Sequence, residues 1–165
     1  MELERQGRAE RFQRFSSLLE NAGLRPALAD LLSASDYRFI AIFRFNADRA
    51  NAALFYDREH PDVLGVDEIP ASATYCCFAR DARGAFVTAN ALLDPRLTGH
   101  MAREHVQAYF GVPIMTPEGE ILGTLCHYDL VPRDPEQIDL SLICEIASAL
   151  EQGKHVPPYP VGAPQ

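Results

Sequence analysis

The stretch "AYFGVPIMTPEGEILGTLCHYDLVPR", residues 108–133, carries the pattern that decides the fold. Two apolar runs, "VQAYFGVPIM" and "EILGTLCHYD", flank the turn sequence "TPEGE" and predict neighbouring strands. Alternation splits each strand into two faces. Thr124, Cys126 and Tyr128 point one way; Leu125, His127 and Asp129 point the other. On the preceding strand Tyr109 belongs to one face, and Phe110, Val112 and Ile114 to the opposite one.

Upstream, "YRFIAIFRFN" reads as a further strand. Phe39, Ala41, Phe43 and Phe45 alternate with Ile40 and Ile42, so both faces are apolar and the strand is central, covered on two sides. The turn "NADRAN" leads into a partner strand, "AALFYD". "REHPDVLGVDEIP" is a loop. Ser72 is placed to cap a short helix through "ATYCCFARD", and "AFVTA" is another strand. "LLDPRLTGH" holds an Asp94-Pro95 helix start and a Gly99 stop.

Helices are expected at both ends. The first runs from about Glu2 to Glu20, with Phe12, Phe15, Leu18 and Leu19 at helical spacing and "NAG" as its stop. A second spans Pro26 to Ser33. The last begins at Asp134-Pro135, with Gln137 completing a capping box, and runs to Gln152 before Gly153. Its stripe is Ile138, Leu142, Ile146 and Leu150, widened by Ile143 and Ala149. "HVPPYPVGAPQ" is a Pro-rich tail expected to be flexible. Helices, a hairpin, a helical excursion, further strands and a long helix make an antiparallel α+β plan, not a βαβ plan.

Bulk properties narrow the function. A chain of 165 residues fits one domain. The net charge of −8 repels phosphate backbones, so no nucleic-acid partner is expected. No apolar run reaches the length of a membrane span, and the charged N-terminus lacks the apolar core of a secretory signal. The expected location is therefore the cytoplasm, where structural disulfides are rare. The four cysteines, Cys76, Cys77, Cys126 and Cys144, form no C-x-x-C and have no zinc-finger spacing.

"TYCCFA", "LLDPRLTGH" and "AYFGVPIMTPEGEILGTLCHYDLVPR", in that order and spacing, resemble a GAF domain over about residues 24–152. Residues 1–23 are then an N-terminal helical extension and 153–165 the tail. The resemblance implies a PAS-like central antiparallel sheet. Terminal helices cover one face, and loops and short helices cover the other, over a small-molecule pocket. It implies a sensory or regulatory module, non-enzymatic, often dimeric through its terminal helices. Gly123 would admit a neighbouring segment close to its strand, and Gly119 suits the tight turn. Pro113, placed inside the sheet, predicts a bulge or locally missing pairing.

The resemblance also orders the candidate site. The "TYC" helix covers the pocket, so Tyr75 or one of Cys76 and Cys77 lines it; adjacent on a helix, the two thiols point about 100° apart. A disulfide between neighbours would be strained, and the plain reading is two small buried residues. Thr124, Cys126 and Tyr128 fit a pocket of apolar walls with a few polar groups. Tyr109 is a further candidate, and Phe43 or Phe55 supplies an aromatic wall. "HMAREH" is not metalloprotease spacing and reads as a solvated helix surface, although His100 could border the pocket. No metal is expected, and the ligand stays unspecified.

Covalent bilin is not expected either, because the only Cys-His pair, Cys126-His127, lies on a strand. One branch of proteins with this fold reduces free methionine sulfoxide through cysteines. This chain has thiols but no tryptophan and not that branch's cysteine spacing. Cys144 reads as structural. The terminal helices predict a homodimer, unless the first folds back on its own domain. Any signal passes to a separate, unidentified partner protein; a purely structural dimeriser is the remaining alternative.

Overall fold

In a computed structural model, residues 2–160 are described. The chain opens with helices α1 (Glu2–Asn21) and α2 (Leu24–Ser33), followed by strands β1 (Phe39–Asn46) and β2 (Arg49–Asp57). A short strand β3 (Ile69–Pro70) precedes helix α3 (Cys76–Ala82) and strand β4 (Phe86–Thr88). Strands β5 (Ala108–Met115) and β6 (Ile121–Asp129) and helix α4 (Leu140–Gln152) complete the order. The strands form one antiparallel sheet in the order β3-β2-β1-β6-β5-β4. This is the predicted α+β plan, with β1 and β6 central.

The period-two pattern sorts the sheet into two cores. Ile40 and Ile42 of β1, Phe110, Val112 and Ile114 of β5, and Leu125 of β6 pack with Phe15, Leu28, Leu32, Leu142, Ile146 and Leu150 of the helices. Phe39, Ala41, Phe43, Tyr109 and Cys126 meet α3 and its flanking turns on the opposite face. Each fully buried Leu or Ile on the helix side contributes roughly 1.5–3 kcal/mol. A register shift between Ile42 and Phe43, opposite β2, changes the parity of β2. Both Ala52 and Phe55 therefore reach the second core, while Leu54 packs on the first.

Gly123 behaves as its position demanded. A Cβ there would overlap the carbonyl oxygen of Phe43, its neighbour across the sheet. Pro113 pairs in register with Thr124, and the irregularity in this hairpin falls one step later, between Ile114 and Met115. The missing pairing is on the other side, since β4 ends opposite Gly111 and leaves Pro113 beyond its reach. Proline tolerates that edge because no ladder donor is needed there.

Several local expectations are corrected. Pro135–Gln137 is an isolated 3-10 turn, and extended Ile138 separates it from α4. The helix restarts with Asp139, whose side chain accepts from the Leu142 amide at 3.3 Å. Ile138 thereby reaches the core, and Gln137 binds Asp36 instead of closing a capping box. On α4, Ala147 is buried and Ala149 only half-buried, while Cys144 is exposed because it falls out of phase with the stripe. Ser72 lies in a 3-10 turn, Ala71–Ala73, and does not cap α3. Asp94 does accept the Arg96 amide, but over the 3-10 turn Pro95–Leu97.

Both chain ends return to the body. Phe15 of α1 is buried in the helix-side core, and Arg8 reaches Asp139 at 2.8 Å. The "HVPPYP" part of the Pro-rich tail is docked, not free. Val156 packs on the core, Arg44 donates to the Pro157 carbonyl at 2.7 Å, and the Tyr159 hydroxyl binds Glu68. Composition missed this because proline removes donors but leaves carbonyls free to accept. The rest of the tail call, residues 161–165, lies outside the described residues.

Candidate functional site

The two faces end differently. On the helix side, Asp129 accepts from the Arg38 amide at 3.0 Å and from Arg133 Nε at 2.7 Å. Arg38 in turn forks onto both oxygens of Asp57 at 3.0 Å. These contacts tie β1, β2 and β6 together at one end of the sheet. On the other face a pocket of about 250 Å³ opens between the sheet and its cover. Its floor is Phe43, Tyr109, Cys126 and Tyr128. Tyr75 and Cys76 come from the start of α3, and Val66, Asp67 and Ile69 from the loop before it.

Six of the nine predicted residues meet here: Phe43, Tyr75, Cys76, Tyr109, Cys126 and Tyr128. Three, Thr124, Cys77 and His100, do not line the cavity. Thr124 points to the correct face but is wholly buried, its hydroxyl without a hydrogen-bond partner among the described residues. Cys77 sits on the next helical position, and its thiol donates to the Thr74 carbonyl at 3.0 Å. Phe55, the alternative aromatic wall, packs against Phe39 instead, the two rings tilted by 35°.

His100 corrects two expectations. Residues 100–105 form successive turns, not a helix, because Gly99 with φ of 80° ends the preceding 3-10 segment. His100 is no solvated residue: its ring lies 4.9 Å from that of Tyr75 and 5.3 Å from that of Phe78. It supports the pocket wall from behind. Its Nδ1 accepts the Ala102 amide at 3.0 Å, which puts the proton on Nε2 in the neutral ring. Burial lowers its pKa below the ordinary histidine value.

Three tyrosines frame the cavity, and the hydroxyls of two of them find partners. Tyr75 donates to the Val106 carbonyl at 2.9 Å, and burial raises its pKa to about 12. Tyr109 donates to Cys76 Sγ at 3.2 Å. Its ring lies over Gly111, where a Cβ would overlap it. That glycine was legible as a small residue in a strand, but its service to Tyr109 needed the fold. Tyr128 stacks on Phe39 at 4.6 Å between centroids.

The thiols of Cys76 and Cys126 share one wall. Burial opposes ionisation of Cys76, yet donors around its sulfur, Cys126 first among them and Tyr109 after, hold it below the ordinary thiol range. Burial pushes Cys126 well above that range. The pair therefore holds protons unequally, with Cys76 the more acidic member. Among the described residues, no group of three or more His, Cys, Asp or Glu side chains is placed to hold a metal ion.

The residues that sequence reasoning missed are Val66, Asp67, Ile69, Ala73, Thr74, Ala102 and Val106. Their signal was faint: Val66 and Ile69 are apolar residues in a segment read as a loop, and Val106 opens a run read as a strand.

A six-stranded antiparallel sheet with helices on one face and a covered pocket on the other defines a GAF-type domain. The chain belongs to the GAF domain family, whose pattern matches residues 13–153. Solved structures agree on the fold. The GAF domain of an Acinetobacter phosphoenolpyruvate-protein phosphotransferase superposes with a TM-score of 0.64 at 14% identity, covering 88% of this chain and 90% of that one. A free methionine-R-sulfoxide reductase from Neisseria meningitidis, solved with its substrate, gives 0.68 at 20% identity, covering 90% and 89%.

The chromophore-binding domain of a Stigmatella aurantiaca bacteriophytochrome gives 0.68 at 13% identity, covering 90% and 60%. In sequence, a cyclic di-GMP phosphodiesterase of Pseudomonas aeruginosa is 35% identical over 75 residues. That match covers 44% of this chain and spans only 13% of the phosphodiesterase. No helix among the described residues is long and apolar enough to cross a membrane.

Proposed function

We propose that this GAF domain is a non-catalytic sensory or regulatory module that binds a small molecule in the pocket beneath α3. The observation that carries the reading is the cavity of about 250 Å³ walled by Phe43, Tyr75, Cys76, Tyr109, Cys126 and Tyr128. An apolar enclosure with a few polar groups is the usual form of a small-ligand site. The free hydroxyl of Tyr128 is suited to orient the guest.

Binding can reach the helices because one strand serves both faces. Cys126 and Tyr128 touch the pocket, while Leu125, immediately before them in the strand, packs on the helix side. A ligand that favours one packing of the terminal helices shifts the population toward it. The output then passes to a separate protein in the cytoplasm; the four free cysteines accord with that reducing compartment. Helix α1 folds back on its own domain through Phe15, so in this reading two copies associate through what α1 and α4 leave uncovered, where Phe12 borders a groove with Cys144 and Ala149.

Native mass spectrometry of the purified protein tests this reading. It expects retained small-molecule mass, lost in Ala102→Trp, which fills the cavity, and a two-subunit assembly. An empty protein whose cavity variant behaves like the parent would end the ligand reading.

A thiol-dependent methionine sulfoxide reductase is the second reading, favoured by two thiols on one pocket wall. Against it, the groups around Cys76 are uncharged, whereas reactive cysteines are commonly activated by a nearby cation or base. Turnover of free methionine sulfoxide that disappears in Cys76→Ser would establish it.

A further inference from the structure

Resting on the ligand-binding reading above, we infer that the pocket takes a compact organic cation, with its ammonium head at Asp67 and its apolar body among Phe43, Tyr75, Tyr109 and Tyr128. The inference starts from size. A cavity of about 250 Å³ lies below the roughly 300–1,000 Å³ typical of sites for drug-sized ligands. It has room for one ring with a short chain, not for a tetrapyrrole or a dinucleotide.

Charge then selects the sign. The lining includes no Lys, Arg or His, and its one formally charged residue is Asp67. The neighbouring acid, Glu68, is already engaged: Arg49 Nε meets it at 3.2 Å, and the Tyr159 hydroxyl binds its other oxygen. Asp67 has no salt bridge or side-chain hydrogen bond among the described residues. An acid left free at the mouth, beside one that is neutralised, offers a cation its counter-charge. An anionic guest would meet Asp67 and the field of a chain with net charge −8, and nothing in the wall would offset either.

The walls fit the same class. Four aromatic rings border the space, and their faces suit an apolar or aromatic body. The edge hydroxyls of Tyr75 and Tyr109 are already donated, to Val106 and Cys76, so these rings offer an apolar body contact more than hydrogen bonds. A molecule with an apolar ring inward and an ammonium outward matches the wall from floor to mouth.

Three matched probes test this by isothermal titration calorimetry on the full chain: 2-phenylethylamine as the cation, 2-phenylethanol as the neutral analogue and phenylacetate as the anion. The amine is expected to bind at least about tenfold more tightly than phenylacetate. In Asp67→Asn its affinity should fall about threefold to fivefold, as for an exposed ion pair, with the alcohol unchanged. In Asp67→Lys the order of amine and carboxylate should invert. Asp67 is exposed, so these variants should fold; thermal melts check this.

Phenylacetate binding as tightly as the amine, an amine-to-alcohol ratio indifferent to Asp67, or no amine binding would each overturn the inference. Retained ligand in native mass spectrometry decides the pocket reading separately. A retained anion or neutral molecule would sink the cation and leave the pocket standing.

Discussion

The two faces of one sheet differ in what lies above them. Over Leu125 the cover is α1, α2 and α4, whose Leu and Ile side chains interdigitate with those of the strands. Over Cys126, one residue along, the cover is a seven-residue helix, 3-10 turns and loops, and it leaves a cavity. Long helices present a continuous apolar stripe that can fill a sheet face. Short irregular segments present isolated side chains on a backbone that must spend its own hydrogen bonds locally. The first arrangement holds the domain together; the second leaves room for a guest.

The sharpest way to break that contrast is to shorten neighbouring residues on opposite faces. Leu125→Ala should cost about 3 kcal/mol in urea unfolding, through lost burial and a new void. Cys126→Ala should cost about 1 kcal/mol or less, because its side chain is small and already borders open space. Equal losses would mean that both faces are packed alike.

Acid sharpens the contrast from the helix side. His127 is buried there without a partner for Nδ1 among the described residues, its ring 5.9 Å from that of Tyr37 in an edge arrangement. Burial, aided by Arg58, lowers its folded pKa to about 3. A base with a depressed folded pKa is neutral when folded and charged when unfolded, so the unfolded state gains protons first. Stability is then complete above about pH 6.5 and falls by about 1.4 kcal/mol for each pH unit below it. His127→Leu should remove most of the slope between pH 6.5 and 4.5, a difference of up to about 3 kcal/mol over the window, and leave the smaller part that His100, also lowered by burial, contributes. Asp57, Asp94 and Asp139, whose folded pKa values are lowered, lose their contributions only nearer pH 4 and below. An unchanged slope in His127→Leu would remove the histidine from the account.

On the pocket side, Gly111→Ala should cost about 2 kcal/mol, because the new methyl must displace the Tyr109 ring. Native mass spectrometry should show ligand retention falling with it. A variant as stable as the parent would show that the ring has room to yield. The smallest effect is expected from Tyr109→Phe. Losing the hydroxyl on Cys76 Sγ should cost about 1 kcal/mol and raise the pH midpoint of iodoacetamide labelling at Cys76, since that donor favours the thiolate. A lowered midpoint would reverse the role assigned to Tyr109.

Much of this was legible before any coordinates. The alternation of Thr124 to Asp129 assigned both faces of β6, and the apolar run from Phe39 to Phe43 marked a strand covered twice. Gly123 announced a close approach that the Phe43 carbonyl makes. Other signals misled because they were local. Asp134-Pro135 reads as a helix start, yet Asp139 serves better, since an extended Ile138 can then enter the core. "HMAREH" reads as a polar helix, but His100 is drawn inward by Tyr75 and Phe78, more than twenty positions away in the chain.

The sequence by itself determined which side of each strand a residue faces, because side-chain direction along a strand has a period of two and needs no knowledge of partners. It also determined the class of fold, through the order of its elements. Only the tertiary structure decided that Glu68 is engaged while Asp67 has no side-chain partner among the described residues, that Gly111 yields its space to Tyr109, and that a cavity remains above Cys126. A void is made by side chains from distant segments failing to meet, and no local pattern encodes where matter is absent.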